Sequence, residues 1–244
     1  MDLRSSDSLP GPAPASGPAR GVARFVRLRW LAPSAAIWAV FAALSYLSSV
    51  YRHFPLDVSI ARWVQSVNWG PMKLAFPFIT SLSGDAGNVA AIAVVAFVGL
   101  ANWRALPFAV VVELGAVASY SLVNQALRVR RPTADLVRLT EHPGAYGWPS
   151  GHASFALVQV GLLVLCVAGA RLPRRALYVV AAAGAFVVLS FVVQRVYVGA
   201  HWPSQTLGGL LNAAGWLTLV ISIRPLSNPL TRIYVPPPPV DSTR

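Results

Sequence analysis

The 244-residue sequence predicts an all-α integral membrane protein: a six-helix bundle with an amphipathic helix lying at the interface between spans one and two. Three observations carry that expectation. Residues of the set AVILMFWYC make up 55% of the chain and charged residues only 11%, against about 25% in a soluble domain. The mean hydropathy is +0.57, too apolar to coat a water-exposed globule. The charges gather in short clusters between six long apolar runs, each near the roughly 20 residues a bilayer core requires.

Residues 1–25, rich in Pro, Ser, Gly and Ala, are expected to form an unstructured tail. Trp30–Tyr51 follows with 22 residues and no charge. It is too long and begins too late for a cleaved signal, so it reads as a retained first span. In Asp57–Val67 the positions Val58, Ile60, Ala61, Val64 and Val67 recur at helical spacing, which predicts the short interfacial helix. Trp63 and Trp69 suit the headgroup region. Ala86–Trp103 and Ala105–Leu127 supply spans two and three, the latter interrupted by Glu113. Ala153–Ala170, Ala176–Gln194 and Trp202–Ile223 supply spans four, five and six. Residues 26–224 thus form one membrane domain. From Pro225 to Arg244, with Pro236–Pro239 in a row, the chain is expected to be extended and solvated.

Placing the N-terminus inside puts twelve of the twenty cations on inner segments and eight on outer ones. The positive-inside rule therefore favours two cytoplasmic termini. The expected location is a bacterial inner membrane. A net charge of +12 in a soluble protein would suggest nucleic acid, but here the cations flank spans, so no nucleic-acid partner is expected. Cys166 is the single cysteine, which excludes an intrachain disulfide and a cysteine-based metal site.

Polar residues beside spans mark function. Asn124 to Pro132 closes span three, Trp148 to His152 opens span four, and Gln194 to Gln205 joins spans five and six. Because spans alternate in direction, all three clusters fall on one outer face. Arg131 and Arg195 are cations able to fork onto phosphate oxygens. Ser150 and Gly151 precede a helix start, where backbone N–H groups and the helix dipole favour an anion. His152 and His201 offer a nucleophile and a general acid near neutral pH. This set fits phosphoryl transfer without a metal or cofactor. Glu113, about 16 Å along the helix from Asn124 at 1.5 Å per residue, reads as a structural acid too deep to reach a phosphate.

Arg131-Pro132, Pro149-Ser150-Gly151-His152, and Arg195 with His201 resemble the three-part motif of the phosphatidic acid phosphatase type 2 superfamily, K-x6-R-P, P-S-G-H and S-R-x5-H-x3-D. The resemblance spans all six runs. It implies that His201 attacks phosphorus to form a phosphohistidine, while His152 protonates the leaving alkoxide and then activates water. It also implies that Arg131, Arg195, Ser150 and Gly151 hold the phosphate oxygens. The implied substrate is a membrane lipid phosphate or pyrophosphate, hydrolysed at the outer face.

The sequence departs from the motif at Asn124 for lysine, Gln194 for serine and Gln205 for aspartate. Asn124, Arg128, Arg130 and Gln205 are expected to contact substrate, with Arg128 or Arg130 restoring the lost lysine charge. Gln205 still accepts an imidazole N–H but carries no charge, so Asp135 or Glu141 stands as a replacement acid. On this reading Gln205→Asp is expected to raise turnover. Two other functions compete with hydrolysis: transfer of the phosphoryl group to a lipid or sugar acceptor, and a weakly active or inactive relative that binds lipid phosphate.

Overall fold

The computed structural model describes residues 25–82, 84–141 and 143–231. The N-terminal tail expected over 1–25 and the proline run Pro236–Pro239 lie outside the described residues, apart from Phe25. Among the described residues the fold is all-helical, with two isolated bridges, Val26 to Ile223 and Arg130 to Tyr146.

The long helices are α1 (Leu28–Val50), α4 (Gly84–Ala101), α5 (Leu106–Leu127), α6 (Gly151–Leu162), α7 (Arg174–Tyr197) and α8 (Pro203–Ser222). Short helices α2 (Asp57–Ser66) and α3 (Phe76–Ser81) lie between α1 and α4, and α9 (Arg224–Thr231) ends the described chain. A π turn at Leu163–Ala168 extends α6 to Arg171. Five of these segments are long and apolar enough to cross a membrane: Leu28–Val50, Gly84–Ala101, Trp103–Leu127, Gly151–Arg171 and Arg174–Tyr197.

The 20-residue α8 falls short by composition, and the reason is its position. It packs against α1, α5, α6 and α7, and it buries Gln205, Thr206, Gly208, Gly209, Asn212 and Gly215. A helix surrounded by protein needs small and hydrogen-bonding residues more than apolar bulk. Asn212 shows the pattern: its Nδ2 donates to the Ala116 carbonyl at 3.1 Å and to Ser154 Oγ at 3.0 Å, tying α8 to α5 and α6. Gly209 is required by close approach, since a Cβ there would collide with the Ser150 carbonyl.

The structure adds to two expectations. The helix Asp57–Ser66 exists, but its apolar residues Ala61 and Val64 are buried against Val137, Val196 and Trp202 of the protein itself. Asp57 anchors it by accepting from Ser204 N at 2.9 Å and Ser204 Oγ at 2.7 Å. The chain after Pro225 is helical through Thr231 rather than extended. Proline in a first helical turn is compatible with helix, and Leu226 and Leu230, four residues apart, pack onto the main core. Arg27 Nη2 donates to Asn228 Oδ1 at 2.9 Å, linking both ends of the domain.

Candidate active site

The segment between α5 and α6 is folded back onto the bundle. Arg128 closes α5 in the left-handed conformation, φ 50°, with its N–H donating to the Asn124 carbonyl at 3.1 Å. Asn124 Nδ2 donates to the Trp148 carbonyl at 3.0 Å, and Trp148 Nε1 donates to Ser45 Oγ at 2.9 Å. These bonds deliver Ser150 to the start of α6, where its Oγ accepts from Ala153 N at 3.5 Å. The turn from α7 to α8 brings His201 beside Arg131.

His201 is 3% exposed. Arg131 Nη1 stands 2.8 Å from His201 Nε2. A guanidinium is only a donor, so Nε2 carries the lone pair and Nδ1 the proton. That proton faces the Gly147 carbonyl at 3.0 Å and Gln205 Oε1 at 3.2 Å. Burial first, then the Arg131 and Arg195 cations, push the imidazole well below its usual range, so the ring is neutral. Burial also lowers Arg131 to about 10, still a cation at neutral pH. Its Nε and Nη1 are fixed by the carbonyls of Gly144 and Ala200, each at 2.7 Å.

Arg195, also 3% exposed, is gripped on one edge. Its Nη2 donates to Glu141 Oε2 at 2.7 Å, Glu141 Oε1 at 2.9 Å and Thr80 Oγ1 at 3.0 Å, while Nε donates to Gln194 Oε1. Gln194 donates in turn to Thr80 Oγ1 at 2.8 Å, and Thr80 donates to Glu141. Gln194 and Glu141 thus orient Arg195. Glu141 pairs with this arginine, not with His201, and the exposed Asp135 makes no bond to the ring, so neither replaces the motif aspartate.

Arg131, Arg195, His152, His201 and Gly151 share the wall of one cavity of about 290 Å³, with Tyr120, Asn88 and Glu113. His152 Nε2 is buried there without a partner among the described residues. A phosphate in this cavity would meet two guanidinium cations and two imidazoles.

The remaining expected contacts separate from this group. The Ser150 N–H is engaged by the Gln205 carbonyl at 2.9 Å, and its side chain caps α6. Asn124 and Arg128 serve the loop described above, and Arg130 offers its carbonyl to Gln205 Nε2 at 2.8 Å. None of the three lines the cavity; Arg130 faces an adjoining cleft that shares Arg131 and Pro143 with it. Glu113, expected to lie too deep to reach a phosphate, lines the far part of the same cavity and is hydrogen-bonded by Gln159. Sequence reasoning missed Tyr120 and Asn88. Tyr120 stands seven residues from Glu113 on the same face of α5, a periodicity that would have found it.

A sequence model of the PAP2 superfamily matches residues 89–229. Among solved structures, the chain is similar to the first transmembrane PAP2 type phosphatidylglycerolphosphate phosphatase from Bacillus subtilis. The TM-score is 0.60 at 16% identity, covering 77% of this chain and 93% of that one. No curated protein matches the chain with significance.

Proposed function

The chain belongs to the PAP2 superfamily, and from that membership and the chemistry of the cavity we propose that it hydrolyses a membrane lipid phosphate or pyrophosphate through a phosphohistidine on His201. The observation that carries the reading is the His201 ring, with Nε2 facing a guanidinium at 2.8 Å and Nδ1–H held by a backbone carbonyl. In the first step Nε2 exchanges its bond from Arg131 for the phosphorus, the P–O bond to the leaving group breaks, and His152 gives a proton to the departing oxygen, that of an alkoxide from a monoester or of a lipid monophosphate from a pyrophosphate. In the second, His152 takes a proton from water, whose oxygen displaces the ring and yields inorganic phosphate. Arg131 and the free edge of Arg195 balance charge on the phosphoryl oxygens. No metal takes part.

The test is phosphate release from a panel of lipid phosphates, with ³²P-labelled substrate and acid- and base-stability of the trapped protein adduct. A base-stable, acid-labile adduct, activity that survives EDTA, and inhibition by vanadate are expected. Complete loss in EDTA restored by a divalent ion would overturn the scheme.

The proposal includes α8 as a sixth span, both termini cytoplasmic and the site on the outer face of a bacterial inner membrane. Spans that alternate put Asp135 and Arg175 on opposite sides. With Cys166 replaced by alanine, single cysteines at those exposed positions are expected to label from opposite sides of sealed vesicles. Labelling from one side only would end the topology.

A further inference from the structure

The cavity does not stop at the histidines. Gly151 lies against Tyr120, since a Cβ at Gly151 would sit 3.1 Å from the Tyr120 ring. From Tyr120 the cavity follows one face of α5 through Val117 and Ala116 to Glu113. Seven residues at 1.5 Å each make this a slot about 10 Å long, running along the helices away from the phosphate end. Ala91 of α4 and Val158 of α6 make its walls apolar. Val117 of α5 is 48% exposed while lining the slot, so the slot is accessible from outside the bundle along this helix.

Its far end is polar. Gln159 Nε2 donates to Glu113 Oε2 at 2.7 Å. Gln159 is 6% exposed, and its Oε1 has no hydrogen-bond partner among the described residues. An acid within a span that also lines a cavity calls for a functional account. Glu113 lines the slot and Gln159 stands behind it, holding the carboxyl group. A wholly hydrocarbon chain filling the slot would leave Glu113 without a polar partner from the ligand, whereas a hydroxyl would give it one.

We propose that Glu113, positioned by Gln159, is a hydroxyl-recognising subsite, so that the preferred substrate is a lipid phosphate whose chain carries a hydroxyl roughly 10 Å or more from phosphorus instead of an unbroken prenyl or alkyl chain. This rests on the phosphatase reading above. The phosphate end fixes where cleavage occurs, and the far end fixes which chain is held long enough to be cleaved.

The experiment uses the full chain in detergent and measures kcat/KM for hexadecyl phosphate and for its isomers bearing one hydroxyl, moved stepwise along the chain. The wild type is expected to prefer one position by about tenfold over hexadecyl phosphate, expressed mainly in KM. In Gln159→Met and Glu113→Leu the ratio between the same two substrates is expected to fall to about one. Wild-type turnover of every isomer at the rate of hexadecyl phosphate would overturn the subsite and leave the phosphatase reading standing. A preference that survives both substitutions would also overturn it. Release from no substrate at all would overturn both. If neither variant folds, the positional series in the wild type decides alone.

Discussion

Replacing His201 with alanine is expected to lower phosphate release by about 10⁴-fold or more, the scale on which losing a covalent nucleophile acts. Arg131 and Arg195 remain, so KM is expected to change little and the loss to fall on kcat. Loss in KM alone would show that His201 binds phosphate without attacking it. The same ring makes a pH prediction. Burial and two arginines hold His201 below the usual imidazole range, so ¹⁵N spectra of the free protein should show a neutral Nδ1–H ring at pH 6. A midpoint at or above 6.5 would contradict this. The sign for stability follows. Below about 6.5 the unfolded imidazole takes up a proton that folded His201 refuses, so the folded state loses stability as pH falls through that range.

The features legible in the sequence were those set by local pattern. Apolar runs show as length, and alternation of spans alone puts Arg131, His152, Arg195 and His201 on one face. Features that depend on long-range packing were not legible. The pairing of Glu141 with Arg195 joins a loop to a helix 54 residues away, and no spacing rule reports it. Gln194 looked like a lost motif serine, whereas its longer amide reaches Thr80 and Arg195 together. The amphipathic stripe of Asp57–Ser66 was visible, but a stripe does not say whether lipid or protein covers it; here Trp202 and Val196 do. The depth of Glu113 was legible from its place along α5, but not that a cavity running parallel to the helix connects it with the histidines.

Gln205→Glu is expected to lower turnover by about tenfold or more and to destabilise the fold, and Gln205→Asp is expected to give no gain. This reverses the expectation drawn from the motif, and the reason is the full set of bonds made by a side chain 1% exposed. Oε1 accepts from His201 Nδ1 and from Trp202 N, each at 3.2 Å. Nε2 donates to the Arg130 carbonyl at 2.8 Å. A carboxylate has no proton for that carbonyl, so glutamate sets two acceptors against each other in a buried place, a penalty of about 1–3 kcal/mol or more. Aspartate, a methylene shorter, gives up the tie to Arg130, the neighbour of Arg131. Nor is an acid needed to choose the tautomer, because the Gly147 carbonyl stands nearer to Nδ1, at 3.0 Å, than Gln205 does. That approach depends on glycine: a Cβ at residue 147 would run into Gln205 Oε1 and stand 2.9 Å from Arg131 Cγ. In the proposed step, the charge on the ring is met instead by the dianionic phosphoryl group it would receive. Phosphate release and thermal unfolding, measured together on both variants, check the argument. A rise in turnover in either, in a protein as stable as the wild type, would show that the site lacks a carboxylate it can use.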